Sequence, residues 1–353
     1  MRPTIVHLID DTKLGGVNLA LESLASSKLQ YLFSFKLIYR QFNFCLFKRY
    51  HADAIVIHAA ASWRKLPAFL ALKLANIGTP ILYQEHHYSR EFVCHCVQVP
   101  SRFALMLKLT YALMNKVLLV SRSQRDWLLE LNIVAKNKLA LVGQGKELGA
   151  FALLPHKPIS KPLKLLAYGR LSQQKGFDLL VKAMAKLPPE QVKLSIAGEG
   201  EARAELAMLA KGLSHVEFVG EVQDVPQFLA SGDLVIIPSR WEPFGLTCIE
   251  AIAAGKAVIA ANVDGLADQL STLASSPSSQ ALTEQKTEAL HTQASAYILL
   301  EELSVAGIET AIKQVINGES LQVTAEQRHG CLQVWHAVLN HWQKLLKSVV
   351  PPS

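Results

Sequence analysis

Cysteine is scarce in this chain: five residues in 353, an odd number at irregular spacing. That excludes a disulfide-stapled secreted scaffold and points to a reducing compartment. Cys94, His95 and Cys96 stand together, but no second pair supports them, so no metal site is expected. Charged residues are also few, at 18%, which excludes long disordered tails. No apolar run is long and clean enough to span a bilayer. The best, "FALMLKLTYALMNKVLLV", is interrupted by Lys108, Asn115 and Lys116. "MRPTIVHLIDD" has neither a basic n-region nor a cleavage site, so no signal peptide is expected and the chain reads as cytoplasmic. Asp-x-Asp is absent throughout, which disfavours a metal-held diphosphate.

Half of the residues are hydrophobic, enough for two domains with separate cores. The net charge of +7 is unevenly spread. Residues 1–160 hold 20 Lys and Arg against 9 Asp and Glu, whereas the remainder holds 16 against 20. A basic first half suggests an anionic partner. Its cations are dispersed and no nucleic-acid motif accompanies them, so nucleic acid is not expected. An anionic membrane surface or a phosphorylated acceptor fits better.

Strands and helices alternate along the chain. "TIVHLI", "ADAIVIHAA", "TPILYQEHH", "KVLLVS" and "KLALVG" read as strands with helical segments between them. "LKLLAYG", "VKLSIAG", "VEFVG", "LVIIPS" and "AVIAA" begin a second such series. The pattern predicts an α/β protein with two parallel, doubly wound sheets. Residues 1–154 form the expected first domain, and 155–163, with Pro155, Pro158 and Pro162, the linker. Residues 164–330 form the second domain, with a polar insertion at 271–295. Residues 331–353 read as a C-terminal helix that crosses back to the first domain or touches a membrane. Ligands of such domains sit at the carboxyl ends of strands.

"SRWEPFGLTCIEAIAAGKAVIA" follows one of those ends. A helix starting near Phe244 or Gly245 would aim the N–H groups of Gly245, Leu246 and Thr247 at an anion such as phosphate. Glu242 lies beside that start and can accept from sugar hydroxyls. Glu250, one to two turns on, can hold the two hydroxyls of a ribose. In "YGRLSQQKGFDLL", Arg170 and Lys175 offer a forked donor and a point charge to diphosphate oxygens. Two cations there would stabilise a leaving diphosphate without a metal.

"GRLSQQKG", "IAGEG", "FVGEV" and "DLVIIPSRWEPFGLTCIEAIAAGKAVIA" occur in an order and spacing that resemble the retaining nucleotide-sugar glycosyltransferases of the GT-B fold. Within these they resemble family four, the group 1 transferases of bacterial polysaccharide and lipopolysaccharide synthesis. The likeness is dense over residues 164–270 and looser over 1–145. It implies two Rossmann-like domains facing a central cleft. It implies that Arg170 and Lys175 hold the donor diphosphate, that Glu242 meets the donor sugar and that Glu250 meets the ribose. Gly15 and Gly16, in "KLGGVNLAL", resemble the family's glycine-rich loop, where the backbone approaches donor phosphate and acceptor. "PILYQEHHYS" resembles the strand whose terminal histidine meets the donor sugar. His86 matches best, with His87 as the alternative.

Some positions depart from the family. Gln144 stands where Asn usually precedes glycine, and Asp268 where Glu is common. The first domain is short, and the tract after 270 lacks the usual glycine-bearing strand and turn. The expected activity is transfer of a sugar from a nucleotide-diphosphate sugar to a hydroxyl of a glycan or lipid-linked acceptor, with retention. It needs no cofactor and no metal, and takes place in the cytoplasm or on the inner face of the cytoplasmic membrane. The rival classes are a GT-B epimerase or phosphorylase, and a binding subunit that does not turn over.

Overall fold

A computed structural model describes residues 2–11, 15–42, 47–155, 157–274 and 295–350. The chain divides into two compact units, residues 1–146 with 334–353, and residues 147–333. The expected linker, 155–163, therefore lies inside the second unit, and the last twenty residues belong to the first. The expected polar insertion falls mostly outside the described residues.

The first unit is built on strands β1 (Thr4–Ile9), β2 (Ser34–Tyr39), β3 (Ala54–His58), β4 (Ile81–Glu85), β5 (Lys116–Leu119) and β6 (Leu139–Leu141). They form one parallel sheet in the order β2-β1-β3-β4-β5-β6. Side chains alternate between its faces, as the period of two requires. Val6, Leu8, Ile55, Ile57, Tyr83, Val117 and Leu119 turn to one face, where Phe69 and Tyr111 cover them. Ile5, Ala54, Val56, Leu82 and Leu118 turn to the other, beneath Trp335, Leu339, Trp342 and Leu346 of the C-terminal helix Ala325–Val349.

Strand β2 was not among the expected strands. It is a sheet edge, half-exposed and carrying Lys36, so its sequence lacks the continuous apolar run of its neighbours. Helix Arg90–Cys96, opened by Ser89 accepting from Phe92 N at 3.2 Å, is also additional, and carries Cys94 and Cys96 on the surface.

The second unit repeats the plan with β7 (Leu163–Tyr168), β8 (Val192–Ala197), β9 (Val216–Gly220), β10 (Leu234–Ile237), β11 (Ala257–Ala261) and β12 (Tyr297–Leu300). Its order is β12-β11-β10-β7-β8-β9, again parallel. The central strands β10 and β11 are buried along their whole length. The tract after 270 contains a strand without glycine, β12, hydrogen-bonded to β11 at the sheet edge.

Candidate functional site

The loop after β10 leads into helix Leu246–Ala253, one or two residues later than expected. Its cap is Gly245 at φ +91°, a left-handed conformation where a Cβ would meet Leu266 Cδ2 at 2.6 Å. The start of helix Asp264–Ala274, which follows β11, braces the turn. Glu242 N donates to Asp264 Oδ2 at 3.1 Å, and Gly265 N donates to Glu242 O at 3.0 Å. The Gln269 amide donates to the carbonyls of Phe244 and Gly245. Both backbone groups of Glu242 are thereby fixed before its side chain is considered.

That side chain is buried. Its carboxylate accepts from Ser239 Oγ at 3.2 Å and forms an ion pair with Lys175 Nζ. Lys175 closes a 3₁₀ turn, Gln173–Lys175, in the loop after β7. Gly176 follows at φ +66°, where a Cβ would stand 1.9 Å from Pro238 O, so only glycine lets this turn lie against the end of β10. Polar contacts join the same two loops. Gln174 Nε2 donates to Trp241 O at 3.0 Å, and Arg240 N to Gln174 O at 2.8 Å. Arg240 meets Asp178 through both terminal nitrogens at 2.7 and 2.8 Å. Burial pushes the Asp178 carboxyl up, but the Arg240 hydrogen bonds and charge, with Lys182, outweigh it and hold it below its usual value.

Glu250 is buried in the second turn of helix Leu246–Ala253 and accepts from Tyr168 OH at 2.8 Å. Tyr168, the last residue of β7, also reaches Thr247 O at 3.3 Å. Burial and the Glu250 charge both push the phenol upward, which keeps it a neutral donor. Arg170 lies exposed two residues beyond Tyr168. The carboxyl ends of β7 and β10, with the start of the helix after β10, therefore carry Arg170, Lys175, Glu242, Phe244, Gly245, Leu246, Thr247 and Glu250, all within the second unit.

Gly15 and Gly16 open helix Gly16–Ser26 of the first unit. Gly15 has an extended backbone, φ −166°. His86 is buried just after β4. Its Nδ1 meets Gln144 Oε1 at 3.2 Å and its Nε2 meets His58 Nδ1 at 2.9 Å, so neighbours of its own unit engage both ring nitrogens. Gln144, the departure from the family's asparagine, is thus tied to His86. His87 is half-buried beside it.

Sequence reasoning missed Tyr168, Ser239, Asp264, Gln269 and the Arg240–Asp178 pair. Tyr168 is hidden as the end of an apolar strand. Asp264-Gly265 carried a signal, an Asp-Gly dipeptide shortly after a buried strand. Among the described residues no three His, Cys, Asp or Glu side chains converge as a metal-holding group. None of their helices is long and apolar enough to cross a membrane.

The fold is GT-B, two Rossmann-like domains each carrying a six-stranded parallel sheet. Sucrose-phosphate synthase from Thermosynechococcus elongatus superposes with a TM-score of 0.75 at 18% identity, over 99% of both chains. HepE of Anabaena, solved with UDP and glucose, gives 0.71 at 18% identity, over 98% of this chain and 99% of that one. Residues 155–314 match the family model of glycosyl transferases group 1. The lipopolysaccharide core biosynthesis mannosyltransferase LpcC of Rhizobium leguminosarum bv. viciae is 33% identical over 158 residues, 42% of this chain and 44% of that protein. An uncharacterized glycosyltransferase of Methanocaldococcus jannaschii is 43% identical over 108 residues, 29% of this chain and 28% of its own. The chain spans less than half the length of these curated relatives.

Proposed function

We propose that this chain is a glycosyltransferase that moves a sugar from a nucleotide-diphosphate sugar to a hydroxyl acceptor, with retention at the anomeric carbon. The observation that carries it is the joining of the loops after β7 and β10, which sets the Lys175–Glu242 pair beside the helix start capped by Gly245. A cation, a carboxylate and a helix start suit the diphosphate, the sugar and the phosphate oxygens in turn. Glu250, oriented by Tyr168, is the acceptor for ribose hydroxyls. Arg170 and Lys175 stabilise charge on the leaving diphosphate, so no metal is required. The acceptor is a glycan or a lipid-linked glycan of cell-surface polysaccharide or lipopolysaccharide synthesis, in keeping with the name of the Rhizobium relative.

The same function favours work at the inner face of the cytoplasmic membrane. Helix Leu66–Ala75 buries Ala68, Phe69 and Leu72 but exposes Leu70 and Leu74, with Ile77 beyond its end. The neighbouring helix Pro100–Ala112 exposes Leu105 and Leu109. Lys73 and Lys108 lie on these helices, and Arg102 stacks over the Trp63 ring at 5.8 Å. Apolar side chains among cations suit an anionic lipid surface.

Calorimetry with UDP, GDP and ADP tests the donor half. One of them should bind wild type and bind Lys175→Ala at least tenfold more weakly. Indifference of the folded wild type to every nucleotide would refute the proposal.

A further inference from the structure

Strands β1, β3 and β4 each place one histidine on the same sheet face. His7 lies in register with Val56, two residues short of His58 on β3, and His86 follows β4. The period of two turns all three rings toward the C-terminal helix, where His7 lies 5.8 Å from the Trp342 ring centroid and 5.7 Å from that of Phe35. His7 Nδ1 meets His58 Nε2 at 2.8 Å, His58 Nδ1 meets His86 Nε2 at 2.9 Å, and His86 Nδ1 meets Gln144 Oε1 at 3.2 Å. The four side chains form one unbranched file.

A neutral imidazole donates through one nitrogen and accepts through the other. Within a file, that choice cannot be made ring by ring. His7 Nε2 is buried without a hydrogen-bond partner among the described residues, where a bare lone pair costs less than an unpaired N–H, so the hydrogen stands on His7 Nδ1 and is donated to His58 Nε2. His58 Nδ1 then donates to His86 Nε2, and His86 Nδ1 donates to the Gln144 oxygen. Gln144 alone would not set this direction, because its amide presents an oxygen or, turned over, an NH₂ group. The two ends are unlike. His7 and His58 are 0% and 2% exposed, whereas His86 and Gln144 are both at 8%, so a ligand can reach only the Gln144 end.

We propose that His7 and His58 are positioning residues that lock His86 in the Nδ1–H tautomer, making it a neutral hydrogen-bond donor and removing it as a general base. His86 Nε2, the nitrogen a base would use, is occupied by His58. Its Nδ1–H faces the Gln144 oxygen, so a ligand oxygen that displaces Gln144 meets a donor already in place. Burial lowers the proton affinity of all three rings, which keeps the file neutral. That the displacing oxygen is a hydroxyl of the donor sugar rests on the transferase proposal. The lock itself does not.

Long-range nitrogen–proton NMR of the full chain labelled on histidine reads the tautomers directly at pH 7. The three rings are assigned by loss of signal in His7→Phe, His58→Phe and His86→Asn. Wild type should show all three with protonated Nδ1 and bare Nε2. Folded His58→Phe should lose the pure Nδ1–H pattern at His86. His58→Gln, whose amide can both donate to His86 and accept from His7, should keep it. An Nε2–H pattern at His86 in wild type would overturn the inference, whether or not any variant folds. So would an unchanged His86 in folded His58→Phe. No donor or acceptor enters the experiment, so an intact lock in a chain that transfers nothing would refute the transferase proposal alone.

Discussion

Lys175 Nζ donates to the Glu242 carboxylate between loops that are 67 residues apart in sequence, with side-chain exposures of 15% and 10%. At that burial, removing one partner strands the other. Lys175→Ala should lower stability by about 2 kcal/mol, below the full cost of a completely buried pair because some solvent remains. Glu242→Gln should cost less, because its amide oxygen can still accept from Ser239 and Lys175. A double-mutant cycle by urea unfolding, using Lys175→Ala and Glu242→Ala, should return a coupling of about 1–3 kcal/mol. Additive effects would mean that the two groups do not act as a unit.

Arg170→Ala and Lys175→Ala should each lower transfer about a hundredfold or more, the scale for losing a donor to developing charge. The two variants should part in stability, because Lys175 is paired with Glu242 at low exposure whereas Arg170 is exposed. Thermal unfolding beside an initial-rate assay separates the effects. Near-normal turnover in folded Arg170→Ala/Lys175→Ala would remove both residues from the chemistry.

Glu250→Gln should weaken binding of the free nucleoside diphosphate, whereas Glu242→Gln should leave it nearly unchanged and depress transfer. Tyr168→Phe adds an intermediate case. It keeps the carboxylate but removes its orienting donor, a loss of about 1 kcal/mol, or somewhat under tenfold in affinity. Calorimetry that ranks Tyr168→Phe below Glu250→Gln would show that the tyrosine does more than orient.

Much of the second unit was legible in the sequence because its signals are local. The run "LVIIPSRWEPFGL" holds strand, turn and helix start within a few residues, and glycine marks the left-handed cap at 245. Gly176 was equally visible, yet its reason was not. The Pro238 carbonyl that excludes a side chain there arrives from 62 residues away through strand pairing. Tyr168 was hidden for the same reason. The histidine file was hidden more deeply, since it joins three strands and a loop, each of which read as an ordinary buried strand end.

Titration of the first unit should shape its stability. Burial holds His7 and His86 at about 3 and His58 well below 6.5, so the unfolded chain binds protons that these rings refuse. Their contribution is full above about 6.5 and is lost as pH falls toward the folded values. Glu85 runs the other way. Burial raises it to about 7, against the pull of its hydrogen bonds from Tyr111, His87 and Tyr88, so its contribution is full below 4.5 and is lost as pH rises through 7. Between 4.5 and 6.5 three rings oppose one carboxyl, each worth up to about 1.4 kcal/mol per pH unit. The melting temperature should climb with pH across that window. His7→Phe should flatten the climb and Glu85→Gln steepen it. A melting temperature that falls with pH there would contradict the assignment.

Membrane attachment should depend on both apolar and basic groups. Wild type should sediment with anionic but not neutral vesicles, less so as salt rises, because surface charge is screened over about 10 Å at 0.1 M. Leu70→Ser/Leu74→Ser should reduce binding at all salt concentrations, and Lys73→Ala/Lys108→Ala chiefly at low salt. Equal indifference to both lipids at low salt would leave the basic face to a soluble, phosphorylated acceptor.

The most direct measurement is NMR-monitored turnover of a panel of nucleotide-diphosphate sugars with lipid-linked glycan acceptors, in excess EDTA. A metal-independent retaining transferase should release nucleoside diphosphate from one donor, form a glycosidic bond with the donor's own anomeric configuration, and lose both with Arg170→Ala/Lys175→Ala. Product of inverted configuration would contradict retention. Activity abolished by EDTA and restored by one divalent ion would contradict the role given to the two cations. Equal turnover by wild type and by the folded double variant would contradict the donor site itself.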